Sequence, residues 1–143
     1  TFVAASGRQY NSIIDKLAPI KDEIIVIAEN GGFAKKQDTE ILVTPLDQQR
    51  VAKILATLNK TPNIHPVLCG KHQAYLTNKS NEFVNKLAEY YTEFEIIDNL
   101  NTFTSEVIKI AIYHFESSEQ FIYPFVKHFE KDLKVKKPWV FND

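Results

Sequence analysis

The sequence contains one cysteine and no methionine among its 143 residues. A single thiol cannot form an internal disulfide, so Cys69 suits a reducing compartment, and its apolar neighbours favour a core side chain over a nucleophile. No apolar run approaches the roughly 20 residues that span a bilayer, and no signal peptide opens the chain. We therefore expect a cytoplasmic protein without a membrane partner, and the missing methionine leads us to expect a fragment.

The chain also lacks a strong charge of either sign, since 17 basic and 18 acidic residues leave a formal charge of -1. Without such a field the chain cannot hold nucleic acid by charge alone, and nucleic acid is not an expected partner. The 44% of hydrophobic residues suffices for the packed core of one domain, or of a small domain with part of another. Partners must then be recognised by local sites.

The first 32 residues predict a β-α-β unit, with a strand over 1–5, a helix over 9–18 and a strand over 24–28. The helix carries apolar residues at the spacing of a buried stripe, and Pro19 ends it. The second strand is continuously apolar, which is typical of a parallel sheet covered on both faces. The turn signal at Glu29–Gly32 predicts a domain boundary, with one unit over 1–32 and a second over 33–143.

The second unit predicts an α+β domain with a mostly antiparallel sheet and about three helices. Asp47 is a suitable N-cap for the first helix and Ser80 or Asn81 for the second, and Pro124 must kink or delay the third. The predicted order is a hairpin over 33–44, a helix from 47, strands over 65–69 and 74–77, a helix from 80 or 81, strands over 93–97 and 107–113, a helix from 118, and short strands over 133–135 and 139–141.

The first strand ends in Ser6, Gly7 and Arg8, directly before the first helix. A strand that passes into a helix through serine and glycine places a hydroxyl, open backbone N–H groups and the positive end of the helix dipole at one point. All three favour a phosphate dianion. The same pattern is also typical of a turn that only packs, so phosphate binding and packing both remain open on the pattern alone.

Lys109 lies in the middle of an otherwise apolar predicted strand. A lysine there costs desolvation free energy unless its ammonium is paired or faces an open cleft. One interpretation makes Lys109 a substrate-binding residue that faces the anionic end of a ligand. The other has it reach solvent, or pair with an acid such as Glu106 or Glu116.

Six segments carry a family resemblance by their order and spacing: Phe2–Arg8, Ala28–Gly32, Leu42–Leu46, Lys71–Tyr75, Tyr90–Tyr91 and Val107–Ala111. Together they resemble the Cof-type, sugar-phosphatase-like branch of the haloacid dehalogenase superfamily over nearly the whole chain. The resemblance implies an α/β fold, in which a partial Rossmannoid core over 1–32 is followed by a large mobile cap domain.

The resemblance also implies roles for individual residues. Enzymes of this family are Mg2+-dependent phosphohydrolases with an aspartate nucleophile, and their second motif is a strand that ends in serine or threonine. Ser6 matches that position, so its hydroxyl and the Gly7 amide would hold the transferring phosphoryl group. Arg8 would lie at the rim of the site, and Asn30 would lie where the core passes into the cap. Arg8, Asn30 and Lys109 are thus the candidate substrate-binding residues.

Several motifs of the family are missing from the chain. Its seven aspartates include no pair two residues apart, so the DxD motif that carries the nucleophile is absent, and none of the four glycines precedes an aspartate of the metal-binding motif. We expect neither a catalytic residue nor a metal ligand in this chain. The family usually has an acidic residue two positions after the tryptophan that corresponds to Trp139, and this chain has Phe141.

The expected function is that of a fragment of a phosphatase. The parent protein would hydrolyse small phosphate monoesters, such as sugar phosphates, through an aspartyl-phosphate intermediate with Mg2+ as cofactor, and the isolated chain would be inactive. The alternative is a non-catalytic, stand-alone binding or interaction module with a cap-like fold. Such a module would need a second copy or another partner to cover its first two strands, and a homodimer is then expected.

Overall fold

A computed structural model describes residues 1–136 of the chain. Its first sheet has the strand order β1-β2-β3-β4, with β1 over Phe2–Ala5, β2 over Ile24–Ala28, β3 over Phe33–Lys36 and β4 over Thr39–Val43. Strands β1 and β2 are parallel, and helix α1 (Tyr10–Lys16) with a 3-10 turn (Ala18–Ile20) connects them. The predicted β-α-β unit is confirmed.

The first sheet continues past residue 32. The hairpin of β3 and β4 pairs antiparallel with β2, so it extends this sheet rather than joining the second one. Within β2, alternate side chains are buried and half-buried, because α1 covers one face and the other is only partly covered by the described residues. The division of the chain into units over 1–32 and 33–143 stays a prediction.

The second sheet is mostly antiparallel, as predicted. It has the order β7-β6-β5-β8, with β5 antiparallel to β6 and β8, and β6 parallel to β7. A helix packs on each of its faces. The bounds are α2 (Gln48–Leu58), β5 (His65–Cys69), β6 (Ala74–Leu76), α3 (Asn81–Ala88), β7 (Phe94–Ile96), a 3-10 turn (Leu100–Thr102) and β8 (Lys109–Tyr113).

The predicted helix caps and breaks are present. The Asp47 carboxylate accepts a hydrogen bond from the Arg50 N–H at 3.1 Å, and the Ser80 hydroxyl accepts one from the Phe83 N–H at 3.3 Å. Pro124 divides the last predicted helix into α4 (Ser118–Phe121) and α5 (Tyr123–Val126), because a proline is best placed in the first turn of a helix.

One predicted strand is wrong and another lies outside the described residues. Residues 133–135 are not a strand, because the chain leaves α5 through a 3-10 turn (Lys127–Lys131) and the Asp132 and Leu133 amides bond back to the Phe129 carbonyl. The predicted strand over 139–141, with Trp139 and Phe141, falls beyond residue 136. Within residues 1–136, no helix is long and apolar enough to cross a membrane.

Candidate phosphate-binding site

The turn that follows β1 is bonded to the residues that follow β2. The Ser6 N–H donates to the Ile27 carbonyl at 2.9 Å, and the Ser6 carbonyl accepts from the Asn30 N–H at 3.3 Å. The Arg8 carbonyl accepts from the Glu29 N–H at 3.1 Å. These bonds extend the pairing of two parallel strands past their ends, so the 6–8 turn and the 29–30 turn are held as one unit.

Ser6 and Gly7 present two hydrogen-bond donors at this turn. The Ser6 hydroxyl oxygen accepts from the Arg8 N–H at 3.2 Å, which leaves the hydroxyl proton for donation to a ligand. Gly7 is exposed, and its N–H makes no hydrogen bond within residues 1–136. A hydroxyl and an open amide one residue apart can both donate to the oxygens of one anion.

Asn30 lies against Gly7 and has a strained backbone. A Cβ atom at Gly7 would lie 2.5 Å from the Asn30 Oδ1 atom, so only glycine fits there without a shift. Glu29, Asn30 and Gly31 have φ angles of 52°, 59° and 96°, a left-handed run that L side chains rarely adopt. The turn after β2 therefore places the Asn30 side chain directly over the candidate site.

Lys109 reaches the same turn from the second sheet. Its ammonium donates to the Gly7 carbonyl at 2.8 Å and forms an ion pair with the Glu29 carboxylate. It also lies 5.6 Å from the centre of the Tyr91 ring, within the range of a cation–π contact. The lysine is thus paired with an acid, but the suggested partners Glu106 and Glu116 were wrong.

Glu29, the partner of Lys109, is buried, and the substrate-binding role of Lys109 stays a prediction. The Glu29 side chain is 1% exposed, and its Oε1 atom has no hydrogen-bond partner within residues 1–136. Burial raises the pKa of Glu29 above its ordinary value, while the charge and hydrogen bond of Lys109 oppose that rise. Sequence analysis missed Glu29 because an acid that follows an apolar strand is typical of an exposed turn.

Arg8 contacts the residues that follow α3. Its guanidinium donates to the Glu89 carbonyl at 3.1 Å and lies 5.4 Å from the centre of the Tyr90 ring. The position of Arg8 at the rim of the site stays a prediction.

Gln9 is the second residue that sequence analysis missed. Its side chain is 1% exposed, although it lies at the N-terminus of α1, where glutamine is usually in solvent. Its amide bonds to the backbone of Thr92 and Glu93 rather than capping the helix. No local pattern distinguishes such a glutamine, because its partners are more than 80 residues away, at separations of 83 and 84.

Cys69 lies under this site but is not a reactive thiol. Burial raises the pKa of the Cys69 thiol to about 11, and its sulfur lies 3.4 Å from the Tyr91 hydroxyl oxygen. Burial also raises the pKa of Tyr91. A thiol in this state is almost wholly protonated at neutral pH and is a poor nucleophile, which agrees with the expectation of a core side chain.

The described residues do not fit a magnesium site. Within residues 1–136, no group of three or more His, Cys, Asp or Glu side chains could hold a metal ion. Glu29, whose N–H bonds to the Arg8 carbonyl of this turn, has a carboxylate that is buried and paired with Lys109. Hard divalent cations need several oxygen ligands, and this part of the chain does not supply them.

The fold and the site define an α/β protein with an open serine–glycine turn at the carboxyl end of a parallel strand, beside a second, mostly antiparallel sheet. The same features suggested a haloacid dehalogenase resemblance in the sequence. The chain belongs to the haloacid dehalogenase-like hydrolase family, whose sequence profile matches residues 1–141.

Individual relatives agree with this assignment. The 5-amino-6-(5-phospho-D-ribitylamino)uracil phosphatase YbjI of Escherichia coli (strain K12) is 30% identical over 112 residues, which are 78% of this chain and 41% of that protein. The solved structure of TM0651 from Thermotoga maritima has a TM-score of 0.77 at 18% identity, and the match covers 96% of this chain and 53% of that one. The chain thus spans about half the length of these relatives.

A third relative is the subclass IIB sugar phosphatase BT4131. Its structure has a TM-score of 0.62 at 20% identity, and the match covers 87% of this chain and 49% of that one. At these identities the structural likeness shows the fold. The predicted membership of the haloacid dehalogenase superfamily and the predicted α/β fold class are both confirmed.

Proposed function

We propose that the protein containing this chain hydrolyses small phosphate monoesters, and that this chain binds the phosphate. The observation that carries the proposal is the turn of Ser6 and Gly7, which offers a hydroxyl and an unbonded amide at the end of a parallel strand. The family match supports a hydrolase, and phosphatases are among the relatives.

Each residue at the turn has a proposed role. Ser6 and Gly7 donate hydrogen bonds to the oxygens of the phosphoryl group, which is how a protein stabilises charge that moves during phosphoryl transfer. Lys109 adds positive charge beside the Gly7 carbonyl, and the Asn30 amide lies over the turn. Arg8 lies at the rim, where it can contact the rest of a substrate.

The nucleophile and the cofactor belong to the proposal only by resemblance. An aspartate outside these 143 residues would form the aspartyl-phosphate intermediate, and Mg2+ would be bound by residues outside them as well. The 33–143 segment would act as the substrate-selecting cap. The chain by itself would then bind phosphate without turnover.

The proposed substrates are phosphorylated sugars, sugar alcohols and similar metabolites. One relative is named as a phosphatase of a phosphoribitylamino-uracil, and another as a sugar phosphatase. These names define a panel of monoesters for a first screen. The screen needs the full-length protein that contains this chain.

The test is phosphate release from that panel, with and without Mg2+, for the wild type and two serine variants. Ser6→Ala removes one hydrogen bond to a charged group, worth about 1.5–3 kcal/mol, and should lower kcat/KM roughly 10- to 150-fold. Ser105→Ala is the matched control, since Ser105 is exposed and lies in another loop. No release from any monoester, or equal rates for both variants, would contradict the proposal.

A further inference from the structure

We propose that Gln9 is a positioning residue, which ties the phosphate-binding turn to the 89–93 segment between α3 and β7. This inference rests on the proposed function, because it concerns the shape of the same turn. It adds a residue that neither the sequence motifs nor the relatives assign. Its basis is a buried amide whose hydrogen bonds all lead to one segment.

The Gln9 side chain makes four hydrogen bonds to two residues. Its Oε1 atom accepts from the Thr92 N–H at 3.1 Å, the Thr92 hydroxyl at 3.3 Å and the Glu93 N–H at 3.1 Å. Its Nε2 atom donates to the Glu93 carbonyl at 2.7 Å. A buried amide that loses such partners keeps its desolvation cost, so the contact is strongly favoured once it forms.

Neighbouring residues reach the same segment. Arg8 donates to the Glu89 carbonyl and lies over the Tyr90 ring, while Lys109 lies over the Tyr91 ring and bonds to the Gly7 carbonyl. The turn therefore has several ties to the second sheet, and Gln9 is the most deeply buried of them.

Gln9 is only two residues from Gly7 and three from Ser6, so its contacts can affect the position of both phosphate donors. The Arg8 N–H, in the residue before Gln9, donates to the Ser6 hydroxyl oxygen. If Gln9 loses its partners, the backbone at Arg8 is released from one side, and the Ser6 hydroxyl and the Gly7 amide lose their fixed separation. Phosphate should then bind more weakly, because preorganised donors bind an anion better than mobile ones.

A purely structural role for Gln9 makes a different prediction. In that case, the loss of the four bonds would lower the free energy of unfolding and leave phosphate affinity unchanged. The two roles are separated by measuring ligand binding and stability on the same variants. Gln9→Met is the suitable change, since it keeps the length of the side chain and removes its polar atoms.

The experiment is calorimetric titration of the full-length protein with inorganic phosphate in the presence of Mg2+, with urea unfolding in parallel. Gln48→Met is the control for the loss of a long-range amide bond, at an exposed glutamine. The Gln48 Nε2 atom also donates to a distant backbone carbonyl, that of Thr104 at 2.7 Å. This bond does not involve the residues of the phosphate-binding turn. Thr92→Ala is a milder variant, because Thr92 is exposed and loses only its hydroxyl bond to Gln9.

We expect Gln9→Met to weaken phosphate binding about tenfold, the ratio that corresponds to roughly one net hydrogen bond. Gln48→Met should bind as the wild type does, and Thr92→Ala should bind about two- to threefold more weakly. Gln9→Met with wild-type affinity would overturn the inference. If Gln9→Met does not fold, wild-type affinity of Thr92→Ala overturns it instead. A wild type that does not bind phosphate contradicts the proposed function itself.

Discussion

Lys109 and Glu29 form an ion pair that joins the first residue of β8 to the end of β2, and so connects the two sheets. The lysine side chain is 17% exposed and the glutamate side chain is 1% exposed. Desolvation of two charges offsets much of their attraction, but the loss of one partner leaves the other charge buried alone. The stability of the connection therefore depends on both residues together.

Lys109→Met should destabilise the protein by about 3–5 kcal/mol at pH 8, because it leaves the Glu29 carboxylate buried without a counter-charge. Urea unfolding of the full-length protein measures the change. The double variant Glu29→Gln/Lys109→Met should recover a large part of the loss, since no charge is then buried. A double variant as unstable as the sum of the single ones would contradict coupling between the two residues.

The surface pair of Lys79 and Asp98 is the control for that experiment. Its side chains are 68% and 98% exposed, and the ammonium lies 3.4 Å from the carboxylate. Lys79→Met should change the free energy of unfolding by less than about 0.5 kcal/mol, because water screens exposed charges.

The contribution of Glu29 to stability should fall as the pH rises above about 4.5, the ordinary pKa of this group. Burial raises the pKa of Glu29 in the folded state, so over the window between the two values the unfolded chain loses a proton that the folded chain keeps. The contribution of Glu29 to stability is complete at a pH below its ordinary pKa. It is lost as the pH rises through the raised pKa of the folded state. Comparison of the unfolding free energy of wild type and Glu29→Gln across this range isolates the effect.

If the unfolding free energies of the wild type and Glu29→Gln change with pH in parallel, Glu29 is not the source of the pH dependence. Lys109→Met should shift the window to higher pH, because the charge that lowers the pKa of Glu29 is then missing.

Cys69 should resist thiol reagents in the folded protein. Its thiol is buried and has a pKa of about 11, so the thiolate is scarce and inaccessible at pH 8. Titration of the isolated 143-residue sequence would be simple because Cys69 is its only cysteine, but in the full-length protein the labelled residue is identified by peptide mass. Cys69 should be labelled only after unfolding in urea. Rapid labelling without urea would contradict the burial of this face of the second sheet.

Gly7→Ala should cost up to about 1 kcal/mol of stability, because the new Cβ atom would lie 2.5 Å from the Asn30 Oδ1 atom and the Asn30 side chain would have to move. Asn30→Gly removes that side chain and suits a φ of 59°. The variant Gly7→Ala/Asn30→Gly should therefore unfold at nearly the same urea concentration as Asn30→Gly alone. A full loss of stability in the double variant would mean that Gly7 is required for another reason.

Much of the fold could be predicted from local signals. The apolar run of β2, the stripe of α1 and the caps at Asp47 and Ser80 are set by residues a few positions apart, and all four appear in the structure. The sheet to which a hairpin belongs is not a local property. The β3–β4 hairpin could have joined either sheet, and pairing with β2 decided it.

The site could be predicted only in part, for the same reason. Ser6, Gly7 and Asn30 lie at turns that the sequence marks by residue type, and the structure brings them together with Lys109. The acid that pairs with Lys109 could not be predicted, because proximity in sequence favoured Glu106 and Glu116. Glu29 is the partner because the two sheets pack there, which is a tertiary effect.

The bond from Lys109 to the Gly7 carbonyl spans 102 residues, and those from Gln9 span 83 and 84. Contacts between such distant parts of a chain close large loops and form slowly. Residues 6–9 are made before β8 and the 89–93 segment, so their ties to the second sheet must wait until those later residues have been made. A chain that lacks these late contacts would bind phosphate weakly, so phosphate affinity would report whether folding is complete.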